Sequence, residues 1–207
     1  MRSKISIELY SYWNKVRGAR PVPARQEIEP GDIRHILPDL FILELTPSGD
    51  IRIRLAGTNI CNLFGRELRG SLFIDLWDAG SREIMISETQ DVMAKLTPAL
   101  FAAKARTACG DVERMEISML PLTSSGTAVD RLIGAFAPVD PARLLMSPVS
   151  SLLLEYTRLV DPETMAETLA IHEESRPAAT HSAMRGGFGD TIRRVLHLRV
   201  FEGSRAD

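Results

Sequence analysis

Strict alternation in one short run constrains this chain of 207 residues more than any other feature. Ile51-Arg52-Ile53-Arg54-Leu55 puts apolar and charged side chains on opposite faces, as a strand with one face in and one out requires. Pro47-Ser48-Gly49-Asp50 ahead of it is turn chemistry, and Leu40-Phe41-Ile42-Leu43-Glu44-Leu45 before the turn is almost wholly apolar. The two runs predict a hairpin whose first strand is central and covered on both faces.

The flanking segments follow from the same periodicity rules. Ile5, Leu9, Tyr12 and Val16 recur at intervals of four, three and four, with Trp13 widening the stripe, so residues 4–17 read as an amphipathic helix that needs a partner surface, either its own domain, which is the ordinary case, or a dimer interface. Pro21 and Pro23 break the chain after it, and Glu29-Pro30-Gly31-Asp32 opens a short helical turn that Pro38 closes. Residues 57–96 carry no strand pattern; they read as short helical pieces punctuated by Gly65, Gly70 and Gly80. A longer helix is capped by Ser81 and keeps Met85, Thr89, Val92, Met93 and Leu96 on one face until Pro98 ends it. Residues 99–108 and 112–122 read as two strands around Cys109-Gly110-Asp111, and residues 131–139 as a fifth strand after a turn at residues 123–126. Beyond Pro141 only residues 152–160 and 194–201 carry strand-like runs, and residues 175–190 are too poor in apolar side chains to offset the cost of ordering, so they read as a flexible link.

Composition bounds the function classes. Hydrophobic content of 44%, charged content of 25% and a mean hydropathy of −0.03 are ordinary globular values, which excludes wholesale disorder and fibrous classes. The 25 Lys and Arg against 27 Asp and Glu are too balanced for a nucleic-acid footprint over the whole surface. Basic charge is local: Arg2, Lys4, Lys15, Arg17, Arg20 and Arg25 face only Glu8 within residues 1–25, a segment that in the ordinary case is simply solvated. Cys61 and Cys109 make no disulfide framework, and neither a signal peptide nor a run of membrane-spanning length is evident, so the expected location is the cytoplasm. The organisation read here is a helix and linker at 1–25, a core at 26–140 and a partly flexible extension at 141–207.

The order strand–strand–helices–strand–strand–strand resembles the PAS domain. The block is sharpened by Phe41-Ile42-Leu43-Glu44, Arg54-Leu55-Ala56-Gly57-Thr58, Leu63-Phe64-Gly65-Arg66-Glu67-Leu68-Arg69-Gly70 and Phe73-Ile74-Asp75-Leu76-Trp77, which look like the stand-alone PAS proteins of alphaproteobacteria. The resemblance covers roughly residues 5–140. It implies an α+β fold, a five-stranded antiparallel sheet with a helical insert between strands 2 and 3, and a role in sensing or signal relay. It also implies dimerisation through the sheet or an N-terminal helix, and the residues point the same way: a helix carrying Ile5, Leu9, Tyr12, Trp13 and Val16 has more apolar area than one sheet edge should need, which makes these the interface candidates of an expected homodimer.

Cofactors can be tested against the residues the family would need. Its haem-binding members present a histidine on the helix before the third strand; residues 81–96 contain none, His35 lies before the first strand, and His172, His181 and His197 lie in the extension, so haem is disfavoured. The photoreceptor branch needs a cysteine after the Gly65–Gly70 block. Cys61 precedes that block and Ser71 to Trp77 has none, so a photoactive flavin is disfavoured and Cys61 reads as a small buried hydrophobe. No HxH, HExxH or CxxC spacing points to a metal, and Gly186-Gly187-Phe188-Gly189-Asp190 lacks the acids of the nucleotide-cyclase signature it superficially resembles. An unknown small molecule remains possible: Phe64, Phe73, Trp77, Met93, Met119 and Phe136 could wall an adaptable cavity, and Thr58 and Asn59 could orient a ligand within it. The expectation is a regulator without a catalytic centre, which binds a small molecule, relays a signal to a protein partner, or both; membrane and nucleic-acid partners are not expected. Two alternatives stand beside it: an adaptor with a filled core, and a small pocket enzyme on an α+β fold.

Overall fold

A computed structural model describes residues 1–124, 128–140, 145 and 147–160. Its centre is an antiparallel sheet of six strands in the order β2-β1-β5-β4-β3-β6. The strands are β1 (Leu40–Leu45), β2 (Ile51–Ala56), β3 (Ala99–Thr107), β4 (Val112–Thr123), β5 (Val129–Pro138) and β6 (Val149–Leu159). Between β2 and β3 lie α2 (Thr58–Phe64), a 3₁₀ turn (Phe73–Leu76) and α3 (Ala79–Lys95), while α1 (Lys4–Arg17) precedes the sheet. α1 and β1 begin and end where the sequence periodicity places them.

Each face of the sheet carries its own core. Phe41, Leu43, Ile51, Ile53, Phe101, Met115, Ile117 and Phe136 pack under the insert, against Phe73, Trp77, Met85 and Val92. Leu40, Ile42, Leu120, Leu122 and Ile133 pack on the other face, against Leu9, Tyr10 and Trp13 of α1 and against Ile28, Ile33 and Ile36. β1 therefore buries both faces, which is why its sequence is apolar without alternation. Gly134 of β5 makes this packing possible: a Cβ there would lie 2.2 Å from Phe41 Cζ and 2.2 Å from the Ser118 carbonyl.

Several expectations are corrected. The sheet has six strands, not five, and the fold runs past residue 140, because the apolar run near residue 152 pairs along β3 from Thr107 to Ala99. Leu55 does not complete the inward face of β2. A β-bulge pairs Ile42 with Leu55 but Leu43 with Ile53, so Arg54 is the extra residue and Leu55 turns to the opposite face, where it is 44% exposed. Ser81 is not the cap of α3. Asp78 is, its carboxylate accepting the Ser81 N–H at 3.1 Å, while the Ser81 hydroxyl accepts the Leu154 N–H of β6 at 3.0 Å and ties the helix to the sixth strand. Leu96 ends α3 in a left-handed conformation at φ 55° instead of joining its apolar face.

α1 lies on its own sheet. Leu9 and Trp13 are fully buried, and the Trp13 indole donates to the Pro121 carbonyl at 2.9 Å. Tyr10, absent from the expected stripe, is equally buried, whereas Ile5, Tyr12 and Val16 are half-buried at the margin. The Glu116 carboxylate of β4 accepts the N–H groups of Arg2 and Ser3 at 2.8 and 3.0 Å, so the sheet itself supplies an anion to the start of the helix. The local basic excess is partly consumed there: Arg17 sits 5.5 Å over the Trp13 ring and Arg20 pairs with Glu27 at 2.9 Å.

The turn at residues 123–126 lies partly outside the described residues. So do residues 175–190, the run at 194–201, the glycine-rich segment at 186–190, and His172, His181 and His197. Among the described residues no helix is long and apolar enough to cross a membrane.

Candidate functional site

The site is set by how α2 enters. Gly57 precedes it with no Cβ, and a Cβ there would lie 2.2 Å from the Pro38 carbonyl, so only glycine lets α2 start against the turn at Leu37–Asp39. Gly65 ends it at φ 64°, its N–H donating to the Asn62 carbonyl at 3.1 Å. Asn59, Asn62 and Leu63, spaced at three and four residues, share one face of this short helix with Ile60 beside them. That face looks onto the ends of β4 and β5 and onto the segment leading into β6.

The space between them is a cavity of about 480 Å3. Asn59, Ile60, Asn62 and Leu63 line it from α2, Glu113 and Met115 from β4, Phe136 and Pro138 from β5, Leu145, Ser147 and Pro148 from the approach to β6, and Asp39 from the edge. Asn59 Nδ2 donates to Asp39 Oδ1 at 2.8 Å, which fixes the carboxamide before anything arrives. Phe136 is held edge-on by Phe64 at 5.9 Å and tilted against Phe41 at 5.1 Å, so one wall is a locked aromatic ring. Glu113 is 4% exposed, and the Ser147 hydroxyl is buried with no partner among the described residues. Apolar walls with a few fixed polar groups can bind and orient a small molecule.

Of the residues proposed from the sequence, Asn59 and Phe136 line this cavity. Thr58 is exposed at the first turn of α2 and does not. Phe64, Phe73, Trp77, Met93 and Met119 belong to the closed core under the insert, where Phe73 stacks on Phe41 at 5.9 Å and meets Trp77 edge-on at 6.0 Å. The residues missed include Asn62 and Leu63, which helical spacing from Asn59 could have revealed, and Leu145, Ser147 and Pro148, which no local pattern marks.

Cys61 is half-exposed rather than buried. Its thiol reaches the Ala56 carbonyl at 3.9 Å and Glu67 Oε1 at 3.8 Å, outside the cavity lining. Glu67 also accepts the N–H groups of Arg69 and Leu68 at 3.0 Å each, and these bonds hold its carboxyl below the usual range. Among the described residues no three His, Cys, Asp or Glu side chains come together as a metal site.

Comparison with known proteins places this architecture. No curated protein sequence matches the chain. Among solved structures, the Rhodobacter sphaeroides LOV protein matches at 10% identity and a TM-score of 0.42, over 56% of this chain and 70% of that one. An RNA-binding light-oxygen-voltage receptor matches at 16% identity and a TM-score of 0.42, over 73% of this chain and 40% of that one. At these scores neither likeness carries a function or a cofactor to this chain, and the expectation against flavin rests on the cysteine positions alone. The sequence pattern of the PAS domain matches residues 1–137, from α1 through β5. That match, on a chain with the two-strand, helical-insert, three-strand order and the 2-1-5-4-3 arrangement, settles the family: this chain belongs to the PAS domain family.

Proposed function

We propose that this PAS domain is a sensor that holds a small molecule in the cavity between α2, β4, β5 and the approach to β6, and signals its presence to a protein partner. The observation that supports it most is the pairing in one cavity of a locked aromatic wall, Phe136, with preset polar groups, Asn59 held by Asp39. A ligand with an apolar body and a few hydrogen-bonding atoms suits that lining. The function is binding without conversion, in keeping with the sensing role common to PAS domains.

A specific observation favours the second reading, an adaptor without ligand: the interior directly under the insert is filled, with Phe73, Trp77, Met85 and Met119 all at 1% exposure or less. Native mass spectrometry of the full chain separates the two. Retained mass in the wild type that disappears in Leu63→Trp, which fills the cavity from α2, supports the sensor; the bare polypeptide mass in both supports the adaptor. The same spectrum reads subunit number. The homodimer expected from the sequence would draw on Ile5, Tyr12 and Val16, since Leu9 and Trp13 are committed to the chain's own sheet.

A further inference from the structure

A second concavity, of about 340 Å3, opens at the β2 side of the sheet and shares no lining residue with the cavity above. Its floor is Ile42, Leu55 and Ala56, and its rim carries Arg25, Arg54 and Arg69 with Glu67. Leu55 is in this floor because the β-bulge turned it out of the core.

The charges divide unequally. Arg54 is occupied by Glu44, at 3.0 Å. The Glu67 carboxylate is turned onto its own loop, accepting the Leu68 and Arg69 N–H groups. The guanidinium groups of Arg25 and Arg69 make no hydrogen bond or close ion pair among the described residues, although the Arg69 charge acts on the neighbouring Glu67 carboxylate. Their backbones are nonetheless anchored. Arg25 opens a 3₁₀ turn (Arg25–Glu27) next to the bridge between Ala24 and Thr123, and Gly70, which follows Arg69, donates its N–H to the Ile53 carbonyl at 2.7 Å.

We propose that this groove docks an acidic segment of a partner protein, with an aliphatic side chain on Leu55 and Ala56 and carboxylates on Arg25 and Arg69. Charge complementarity selects an anion, because the rim carries three arginines against one carboxylate and the two of them without a hydrogen bond or close ion pair, Arg25 and Arg69, are both cations. The apolar floor selects a side chain beside that anion, an apolar centre with a charged rim being the usual anatomy of a docking patch. Single-stranded nucleic acid fits less well: no aromatic ring lines the groove, so bases have no surface on which to stack.

The test pans a phage-displayed library of short random peptides on the full chain. The best peptide is then measured by fluorescence anisotropy, with an oligouridine strand as the competing arm. The expected result is enrichment of Asp or Glu next to Leu, Ile, Met or Phe. Binding should weaken roughly tenfold or more in the double variant Arg25→Glu with Arg69→Glu, and with added salt, because both cations contact the ligand. Leu55→Ser should weaken it several-fold. If the charge reversal disturbs folding, as circular dichroism would show, Arg25→Gln with Arg69→Gln serves in its place and should still lose most of the binding. No enrichment, enriched peptides without acids, affinity unchanged in these variants, or tighter binding of oligouridine through the same arginines would each overturn the proposal.

Discussion

Truncating Trp77 to alanine tests the packing of insert on sheet. The side chain is 1% exposed and meets Phe73 edge-on at 6.0 Å. Its backbone is held independently: the Trp77 N–H donates to the Ile74 carbonyl at 3.1 Å and its carbonyl accepts from Arg82 Nε at 3.1 Å, so the change removes packing and leaves the turn in place. Loss of a buried tryptophan costs about 3–5 kcal/mol. Against this, the indole N–H is buried with no acceptor among the described residues, and deleting such a group recovers about 1–3 kcal/mol. The net expectation is a loss of about 2 kcal/mol. Trp77→Phe separates the two effects, since it keeps an aromatic ring on Phe73 while deleting the unpartnered donor; it should fall within about 1 kcal/mol of the wild type. The assay is the urea midpoint at unchanged slope. A loss in Trp77→Ala below about 1 kcal/mol, or a phenylalanine variant as unstable as the alanine one, refutes the reasoning.

Gly134→Ala should cost about 3 kcal/mol by the same measurement, because the added methyl would lie 2.2 Å from the Ser118 backbone, which cannot move aside without parting β4 from β5; a neutral result would mean Phe41 and the strand pair yield freely. Acidification should destabilise the fold in part through Glu67, whose carboxyl is held below its ordinary value of 4.5 by the Arg69 and Leu68 N–H groups. A lowered folded pKa contributes stability that is present above the unfolded value and lost as pH falls through the folded one. Melting temperature followed downward from about pH 6 should therefore drop less steeply in Glu67→Gln than in the wild type, and parallel curves would count against the role given to that carboxylate.

How much of this was legible beforehand depended on whether a feature is local. α1 and β1 match their expected bounds to the residue, since period and turn chemistry are written within the segment that adopts them. The succession along the chain of two strands, a helical insert and three strands, and with it the family likeness, was legible as well, because each of those elements carries its own period and turn signals. What α1 packs against was not: the same stripe of Leu9 and Trp13 fits a partner or the chain's own sheet, and the distinction lies in Leu120, Leu122 and the Pro121 carbonyl, more than a hundred residues along the chain. The sixth strand was readable only as an apolar run, because pairing with β3 depends on where the chain after Pro138 returns. Leu55 obeyed perfect alternation and was still turned outward, since a bulge is a relation between two strands and leaves no mark in either alone. The cavity is the extreme case. Aromatic and methionine side chains were expected to wall it, and the tertiary structure instead packs most of them into a closed core. The concavity is assembled where α2, two strand ends and a returning segment meet without filling the space between them, and such a void is decided by the distances between elements, a quantity no local pattern of residues encodes.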